Sequence, residues 1–177
     1  MKTYIESEVL SKYFLYGNEG ESLQLINQKM RVLLVFLRHF GCTFCRETLA
    51  DISEVRASIE TKSIKIVLVH MGPIDDALGF FKNYNLPNIN HVLDEEASLY
   101  HSFGLENGTI GQLFGIQEFT RGFQQGLLKG RGLGAPKRNS YQMPGVFLLE
   151  KNQILAQHIH RSASDNPNYQ KILENFL

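Results

Sequence analysis

The sequence has few of the features that mark a membrane protein or a secreted one. Its longest apolar run, VLLVFL at residues 32–37, is far shorter than the ~20 residues that a membrane-spanning helix needs. The first ten residues, MKTYIESEVL, lack the apolar segment of a secretory signal. We therefore expect a soluble cytoplasmic protein with no membrane partner.

Neither sign of charge is in excess. Eighteen basic residues balance eighteen acidic ones, so the composition gives no reason to expect a nucleic-acid partner. A chain of 177 residues fits one domain with a sizeable core, and we predict a single domain over residues 1–177. The chain carries no dinucleotide fingerprint and no Walker loop, so we expect no organic cofactor.

Cysteine is scarce, and both cysteines, Cys42 and Cys45, lie in the stretch HFGCTFCRE. Such a pair can be part of a metal site, a structural disulfide, two buried thiols or a reactive centre. A zinc or iron–sulfur site needs about four ligands; there is no second cysteine pair, and His39, His158 and His160 are candidates for further ligands. In a reducing compartment a CxxC is more often catalytic or metal-binding than structural. We favour the reactive centre and predict no metal.

The elements around the cysteines follow the order strand, helix, strand. Residues 31–38 and 63–70 are short aliphatic runs, typical of strands that are covered on both faces. Residues 45–60 carry apolar side chains at spacings of three and four, which predicts an amphipathic helix. The alternation then predicts a helix at 75–84, a strand at 88–93 and a helix at 95–103.

The C-terminal part predicts a β-hairpin from residues 145–150 and 153–160, followed by a helix that Asn166-Pro167 starts. The fold class is therefore α/β, with an antiparallel hairpin completing the sheet. Residues 104–141 are rich in glycine, and five basic residues without an acidic one lie between Arg121 and Arg138. We interpret this segment as a surface insertion. The alternative is an anion-binding or partner-docking flap near the active site.

The position of Cys42 predicts a reactive thiolate. It lies where a buried strand turns into a helix, and the unpaired N–H groups and positive dipole of a first helical turn lower a thiol pKa below ~8.5. Arg46, Arg38 and His39 are nearby candidates for additional positive charge. Cys45 lies about one turn along the same face. Its sulfur can therefore reach Cys42, so we predict that Cys42 attacks and Cys45 resolves.

The block VFLRHFGCTFCRE resembles the active-site block of the peroxiredoxin-like proteins of the AhpC/TSA antioxidant class, the group that includes selenoprotein L and prostamide/prostaglandin F synthase. The blocks PGVFLLEKNQIL and HIHRSASDNPNY are also similar, so the resemblance extends from about Met30 onward. It implies a thioredoxin-like fold with a central mixed sheet flanked by helices. It also implies Cys42 as the nucleophile, Cys45 as its partner, a peroxide or disulfide substrate and a thioredoxin- or glutathione-type reductant.

The sequence departs from typical peroxiredoxins at two positions. His39 stands three residues before Cys42, where they have a Thr that orients peroxide. Pro144 stands where they have an Arg before the late strand. Thioredoxins have a cis-proline at that place, so the resemblance implies a cis Met143–Pro144 peptide that faces the cysteines. Arg161 is a candidate for the missing cation, with a solvated surface role as the alternative.

We predict an enzyme, a peroxiredoxin-like thiol-dependent oxidoreductase whose Cys42 thiolate attacks a peroxide or a disulfide. The two departures favour dithiol–disulfide exchange within that class, so the first alternative is a thiol–disulfide oxidoreductase without peroxidase activity. The second alternative is a non-catalytic redox-sensing or metal-binding module. Phe40 and Phe44 flank Cys42 and form either an apolar substrate rim or ordinary core. The candidate catalytic residues are Cys42, Cys45, Pro144, Arg46, His39 and Arg161.

Overall fold

One mixed sheet organises the part of the chain that the structure describes. The computed structural model describes residues 3–17, 20–109, 112, 141–162, 164–165 and 167–174. The strands are β1 Arg31–Phe36, β2 Ile64–His70, β3 Asn90–Leu93, β4 Gly145–Glu150 and β5 Gln153–Ile159. They form a five-stranded sheet in the order β3-β2-β1-β4-β5. β1, β2 and β3 are parallel, while β4 and β5 add an antiparallel hairpin beside β1. The predicted α/β sheet with its terminal hairpin is confirmed.

Helices cover both faces of this sheet. They are α1 Ser7–Ser11, α2 Leu23–Lys29, α3 Thr43–Glu60, α4 Ile74–Asn83, α5 Ser98–Ser102 and α6 Tyr169–Glu174. Side chains from α3, α4 and α6 share one apolar core with the sheet, and side chains from α1, α2 and α5 share the other. Among the helices that the structure describes, none combines the length and the apolarity needed to cross a membrane.

The central strand β1 is buried on both sides, as its continuous aliphatic sequence predicts. Leu33 and Val35 belong to the core beneath α3 and α4, whereas Leu34 and Phe36 belong to the opposite core. Successive side chains of a strand point to opposite faces, so a strand without polar positions needs a layer of helices on each side. This three-layer arrangement holds β1 between the two cores, and the cysteines that follow it belong to the core beneath α3 and α4.

The hairpin turn ties the N-terminal segment to the sheet. Lys151 and Asn152 have positive φ values of 47° and 70°, the backbone of a two-residue turn that matches the twist of paired strands. The buried Asn152 amide donates to the carbonyl of Ile5 at 3.0 Å and to the side chain of Gln24 at 3.0 Å. These bonds fix α1 and α2 against the hairpin, and neither helix was predicted from the sequence.

The helix boundaries differ from the sequence predictions. Helix α4 covers Ile74–Asn83 instead of 75–84, and α5 covers Ser98–Ser102 instead of 95–103. Helix α3 begins at Thr43, before the predicted start at residue 45. Helix α6 begins at Tyr169, and Pro167 lies outside it because the side chain of Asn168 accepts the N–H of Lys171 at 2.9 Å and caps the helix instead. Of the predicted insertion, residues 104–109, 112 and 141 are described, and the proposed basic flap lies outside the described residues.

The predicted cis peptide between Met143 and Pro144 is wrong. The described part of the chain contains no cis peptide bond. Residues on both sides of this bond follow extended pairing: Gln142 bridges Asn107, and the carbonyl of Pro144 accepts the N–H of His160 at 3.4 Å. The trans form is the favoured one by about 0.5–1 kcal/mol even for a bond that precedes proline.

Candidate active site

Cys42 is the residue at which the chain leaves β1 and enters α3. As the N-cap it keeps an extended backbone, with φ −79° and ψ 126°. Its N–H donates to the carbonyl of His39 at 2.9 Å, and its own carbonyl accepts the N–H of Arg46 at 3.2 Å. Because the helix begins at Thr43, Cys45 lies in the first turn. Both sulfurs therefore lie at the positive end of an 18-residue helix.

The Cys42 thiol is acidic although it is buried. Its side chain is 7% exposed, and burial by itself would raise the pKa. The hydrogen bond from the Cys45 thiol lowers the pKa most, and the Arg38 charge and the N–H groups of Cys45 and Phe44 lower it further. The Nη1 of Arg38 donates to Cys42 Sγ at 3.3 Å. The resulting pKa falls from 9.0 to about 6, in the direction that the sequence predicted.

The same contacts keep Cys45 protonated. The hydrogen bond to Cys42 is the largest cause that raises the Cys45 pKa, and burial raises it further. The main-chain N–H of Arg38 donates to Cys45 Sγ at 3.1 Å and acts in the opposite direction. The two cysteines are free and not bonded to each other. The pair is thus one thiolate beside one thiol, which is the reduced form of an exchange pair.

Arg38 supplies the positive charge beside Cys42, for which Arg46 and His39 were also candidates in the sequence. Arg46 donates its Nε to the carbonyl of Phe40 at 3.3 Å, and its guanidinium lies over the ring of Phe80 at 5.4 Å. Burial and the Arg38 charge lower the pKa of His39 to about 4, so this ring is neutral at pH 7. The prediction that His39 adds positive charge is therefore wrong.

Arg161 lies on the surface. Its main-chain N–H donates to the carboxylate of Asp165 at 2.9 Å, and its carbonyl accepts from the side chain of Gln112 at 3.1 Å. The guanidinium that contacts Cys42 belongs to Arg38, and the exposure of Arg161 supports the solvated alternative.

A small cavity lies beside Cys45, between α3 and the start of β4. Its volume of about 10 Å³ is close to the minimum that one water molecule needs. Pro144 lines this cavity together with Cys45 and Phe44, so the proline, in its trans form, shares the cavity with Cys45. The polar side chains in the lining are Arg38, Glu47, Thr48, His160, Ser164 and Asp165.

A larger groove opens on the other side of Arg38. It has a volume of about 320 Å³, at the small end of the range for ligand sites. Arg38 lines both the groove and the small cavity and thus links the groove to the sulfur of Cys42. The groove is lined by Arg38, His39, Phe40, Met71, Gly72, Pro73 and Asp76.

Two buried histidines lie behind residues that line this groove, and the sequence predictions did not include them. The Nε2 of His70 and the Nδ1 of His91 lie 2.9 Å apart, and the Nδ1 of His70 lies 2.9 Å from the carbonyl of Gly72. Burial lowers both pKa values to about 4. The ring of Phe40 packs 5.5 Å from that of His70. The predicted strands at 63–70 and 88–93 contain His70 and His91, and parallel pairing of these strands could have predicted the contact.

The late histidines face each other. The rings of His158 and His160, two positions apart in the chain, lie 5.1 Å apart in an edge-to-face arrangement. In the described part of the chain, no group of three or more His, Cys, Asp and Glu side chains is arranged to hold a metal ion.

Solved structures with this architecture include peroxiredoxins and a protein described as a putative thiol:disulfide interchange protein from Chlorobium tepidum, with a TM-score of 0.58 at 18% identity, covering 98% of this chain and 97% of that one. A mutant of PrxQ from Xylella fastidiosa superposes with a TM-score of 0.65 at 12% identity, covering 99% of this chain and 92% of that one. The bacterioferritin comigratory protein of Xanthomonas campestris gives a TM-score of 0.63 at 12% identity, covering 89% and 86%. At this level of identity the likeness concerns the fold, and it confirms the predicted thioredoxin-like class.

The sequence itself identifies the family. Residues 51–162 match the model of the AhpC/TSA antioxidant enzyme family, and this match covers more than half of the chain. The protein therefore belongs to the AhpC/TSA antioxidant enzyme family, as its resemblance implied, and so to the thiol-dependent redox proteins. The prostamide/prostaglandin F synthase of Xenopus tropicalis is 36% identical over 98 residues, which cover 55% of this chain. That alignment spans 47% of the synthase, so the chain matches about half of that relative.

Proposed function

We propose that the protein is a thiol-dependent peroxidase in which Cys42 attacks a peroxide and Cys45 resolves the product. The observation that carries this proposal is the hydrogen bond of 3.3 Å from Arg38 to Cys42 Sγ, with the Cys45 thiol as the second donor to the same sulfur. A thiolate is the nucleophilic form of cysteine, and its resolving partner is already in contact with it.

The reaction proceeds in three steps. The Cys42 sulfur attacks one peroxide oxygen, so that an S–O bond forms, the O–O bond breaks, and the second oxygen leaves as an alcohol or water after taking a proton. The Cys45 sulfur then attacks the sulfur of the Cys42 sulfenic acid; an S–S bond forms and water leaves. A thioredoxin- or glutathione-type thiol donor finally supplies two electrons and two protons and regenerates both thiols.

The groove beside Arg38 supports a small organic peroxide as substrate. Apolar side chains of Phe40, Met71 and Pro73 line it and would contact the body of such a molecule. The guanidinium of Arg38, which also lines the groove, would stabilise the negative charge that develops on the leaving oxygen. The bacterioferritin comigratory protein of Xanthomonas campestris, which shares the fold, has alkyl peroxide reduction activity. The name of the Xenopus tropicalis relative makes a prostaglandin-type peroxide a second substrate to test.

Thiol–disulfide exchange without peroxidase activity is the second candidate. It is favoured by His39, a half-buried neutral ring at the position where the resemblance expects a peroxide-orienting Thr. It is also favoured by Pro144, which lines the small cavity beside Cys45 at the position of the expected Arg. In this reaction the Cys42 thiolate attacks a disulfide sulfur of a protein or small-molecule substrate, and Cys45 releases the mixed disulfide.

Single-turnover stopped-flow mixing distinguishes the two candidates. Reduced protein is mixed with hydrogen peroxide, an alkyl hydroperoxide, a prostaglandin endoperoxide or a low-molecular-weight disulfide, and thiol loss is followed. The proposal predicts that Cys42 reacts with at least one peroxide faster than a free thiol does at the same pH. Cys42→Ser should abolish the reaction, while Cys45→Ser should stop it at the sulfenic acid, as detected by mass spectrometry. If every peroxide reacts at the rate of a free thiol while the disulfide reacts faster than that, thiol–disulfide exchange is the function.

A further inference from the structure

The peptide group between Leu37 and Arg38 is hydrogen-bonded at both ends. Its N–H donates to Cys45 Sγ at 3.1 Å, and its carbonyl, on Leu37, accepts the hydroxyl of Tyr100. The same hydroxyl lies 3.0 Å from the carbonyl of Val69, which is farther than the 2.5 Å to the carbonyl of Leu37. A buried hydroxyl, one peptide and a cysteine sulfur thus form a continuous chain of hydrogen bonds.

Tyr100 is held rigidly at the start of this chain. The carboxylate of Asp94 accepts the N–H groups of Ser98, Leu99 and Tyr100 at 3.1, 2.8 and 3.2 Å, which fixes the short helix α5. The Tyr100 ring packs edge-on against Phe36, with centroids 4.9 Å apart. Burial raises the pKa of Tyr100 well above 10.0, so its hydroxyl stays protonated and remains a donor.

We infer that Tyr100 is a positioning residue for Cys45, acting through the Leu37–Arg38 peptide to hold and activate the resolving sulfur. A carbonyl that accepts a strong hydrogen bond polarises its peptide and makes the N–H at the other end a better donor. A better donor at Cys45 stabilises the thiolate of that residue. The inference rests on the proposed function, because resolution is the step that requires this thiolate.

The resolution step requires Cys45 to react as a thiolate, so a donor that stabilises this thiolate assists the step. The Cys45 thiol must lose a proton before the sulfur can attack Cys42, yet burial and the bond to Cys42 both raise its pKa. The proton leaves with the hydroxide of the sulfenic acid as water, while the S–S bond forms and the S–O bond breaks. The Arg38 charge and then its main-chain N–H lower the Cys45 pKa, and the N–H donates directly to the sulfur, so a stronger N–H bond favours this step.

Tyr100→Phe removes the hydroxyl and keeps the ring against Phe36. Tyr169→Phe is the matched control, since Tyr169 is also a buried tyrosine, 4% exposed, with Cys45 among the charges that raise its pKa. The groups that shift the Tyr169 pKa lie on helix α3, and none of them belongs to the Leu37–Arg38 peptide. Both variants are made in a Cys42→Ser background, where the alkylation rate of Cys45 against pH reports its pKa without any oxidant.

Tyr100→Phe should slow Cys45 alkylation at a fixed pH by up to about fourfold, because the lost bond strengthens the Arg38 N–H bond to Cys45 by only about 10–30%. It should also shift the Arg38 amide resonance upfield, and Tyr169→Phe should do neither. With Cys42 restored, the Tyr100 variant should slow disulfide formation by a similar factor and leave the initial oxidation of Cys42 unchanged. An unchanged alkylation rate or amide shift, or equal effects of the two variants, overturns the inference.

Fluorotyrosine labelling tests the same idea without removing a side chain. A fluorinated hydroxyl is a stronger donor, so labelled Cys42→Ser protein should alkylate faster at Cys45, and the gain should persist in Tyr169→Phe. If labelling does not speed up Cys45 alkylation, the inference is overturned, even where Tyr100→Phe fails to fold. Because these measurements need no turnover, a failure of the proposed peroxidase activity is separate from a failure of this inference.

Discussion

The guanidinium of Arg38 donates a hydrogen bond to the sulfur of Cys42 at 3.3 Å, from a side chain that is itself only 4% exposed. A charge pair that is withdrawn from water interacts more strongly than one at the surface. A thiolate at Cys42 therefore also stabilises the buried Arg38. The first prediction follows from this mutual dependence.

Arg38→Met should raise the pKa of Cys42. The Arg38 charge is one of the causes that lower this pKa to about 6, and methionine keeps apolar bulk without the charge. A rise of about one unit would reduce the thiolate fraction at pH 7 from about 90% to about half. The measurement is the rate of Cys42 alkylation against pH in a Cys45→Ser background. Arg38→Lys, which keeps the charge, should give an intermediate value, and an unchanged profile in Arg38→Met would sink the prediction.

The Cys45 thiol should act as a hydrogen-bond donor to Cys42 in addition to any role in resolution. That bond is the largest cause of the lowered Cys42 pKa. Cys45→Ala removes the donor and should raise the Cys42 pKa by about one unit or more. Cys45→Ser keeps an O–H donor of similar size and should raise it less. The reactivity of Cys42 with iodoacetamide across pH gives both values, and identical profiles for the two variants would contradict the assigned bond.

The sequence predicted the parts of the fold that are encoded locally. The continuous aliphatic runs of β1 and β2 and the Lys151-Asn152 turn specify their elements through burial on both faces and through backbone conformation. Helices α1 and α2 have five and seven residues and are too short to be stable by themselves. They depend on contacts such as those of Asn152, more than a hundred positions away in the chain, so local pattern did not reveal them.

The candidate site shows the same division between local and distant contacts. The cysteines were predictable because strand, CxxC and helix are adjacent in the sequence. The relative roles of Arg38, Arg46 and His39 were not, because the turn after β1 decides which side chain points at the sulfur. Tyr100 could not be predicted at all. It reaches the Leu37 carbonyl from 63 positions away, and only the packing of α5 on the sheet brings the two together.

Gly72→Ala should destabilise the protein and disturb the wall of the groove. A Cβ at this position would lie 2.9 Å from Cε2 of the Phe40 ring, which is itself packed against His70 and Phe80. Overpacking of this kind costs about 1–3 kcal/mol. The measurement is the free energy of unfolding in urea, with Cys42 alkylation as a second readout of the displaced ring.

Gly79→Ala in helix α4 is the control for this change. A Cβ there meets nothing within 4 Å, and replacing glycine by alanine within a helix should stabilise the protein by about 0.5–1 kcal/mol. Equal effects of the two substitutions would show that the Phe40 contact does not limit the space at Gly72.

Acid should destabilise the fold through its buried histidines. Burial lowers the pKa of His70 from 6.5 to about 4, while the same ring in the unfolded chain keeps an ordinary pKa near 6.5. Between these values the unfolded chain binds a proton that the folded protein does not, so stability falls as the pH falls through this window. The neutral ring of His70 bridges His91 and the Gly72 carbonyl, and a second proton would disrupt this arrangement.

The test compares the pH dependence of unfolding in His70→Gln and in His101→Gln, since His101 lies exposed on α5. Urea unfolding between pH 6.5 and pH 4 should give a free energy that declines less steeply in His70→Gln than in the wild type, by up to about 1.4 kcal/mol per pH unit. His101→Gln should retain the wild-type slope. The slope is the informative quantity, because loss of the His91 contact lowers stability at every pH. Parallel curves for His70→Gln and the wild type would mean that His70 titrates alike in the folded and unfolded states.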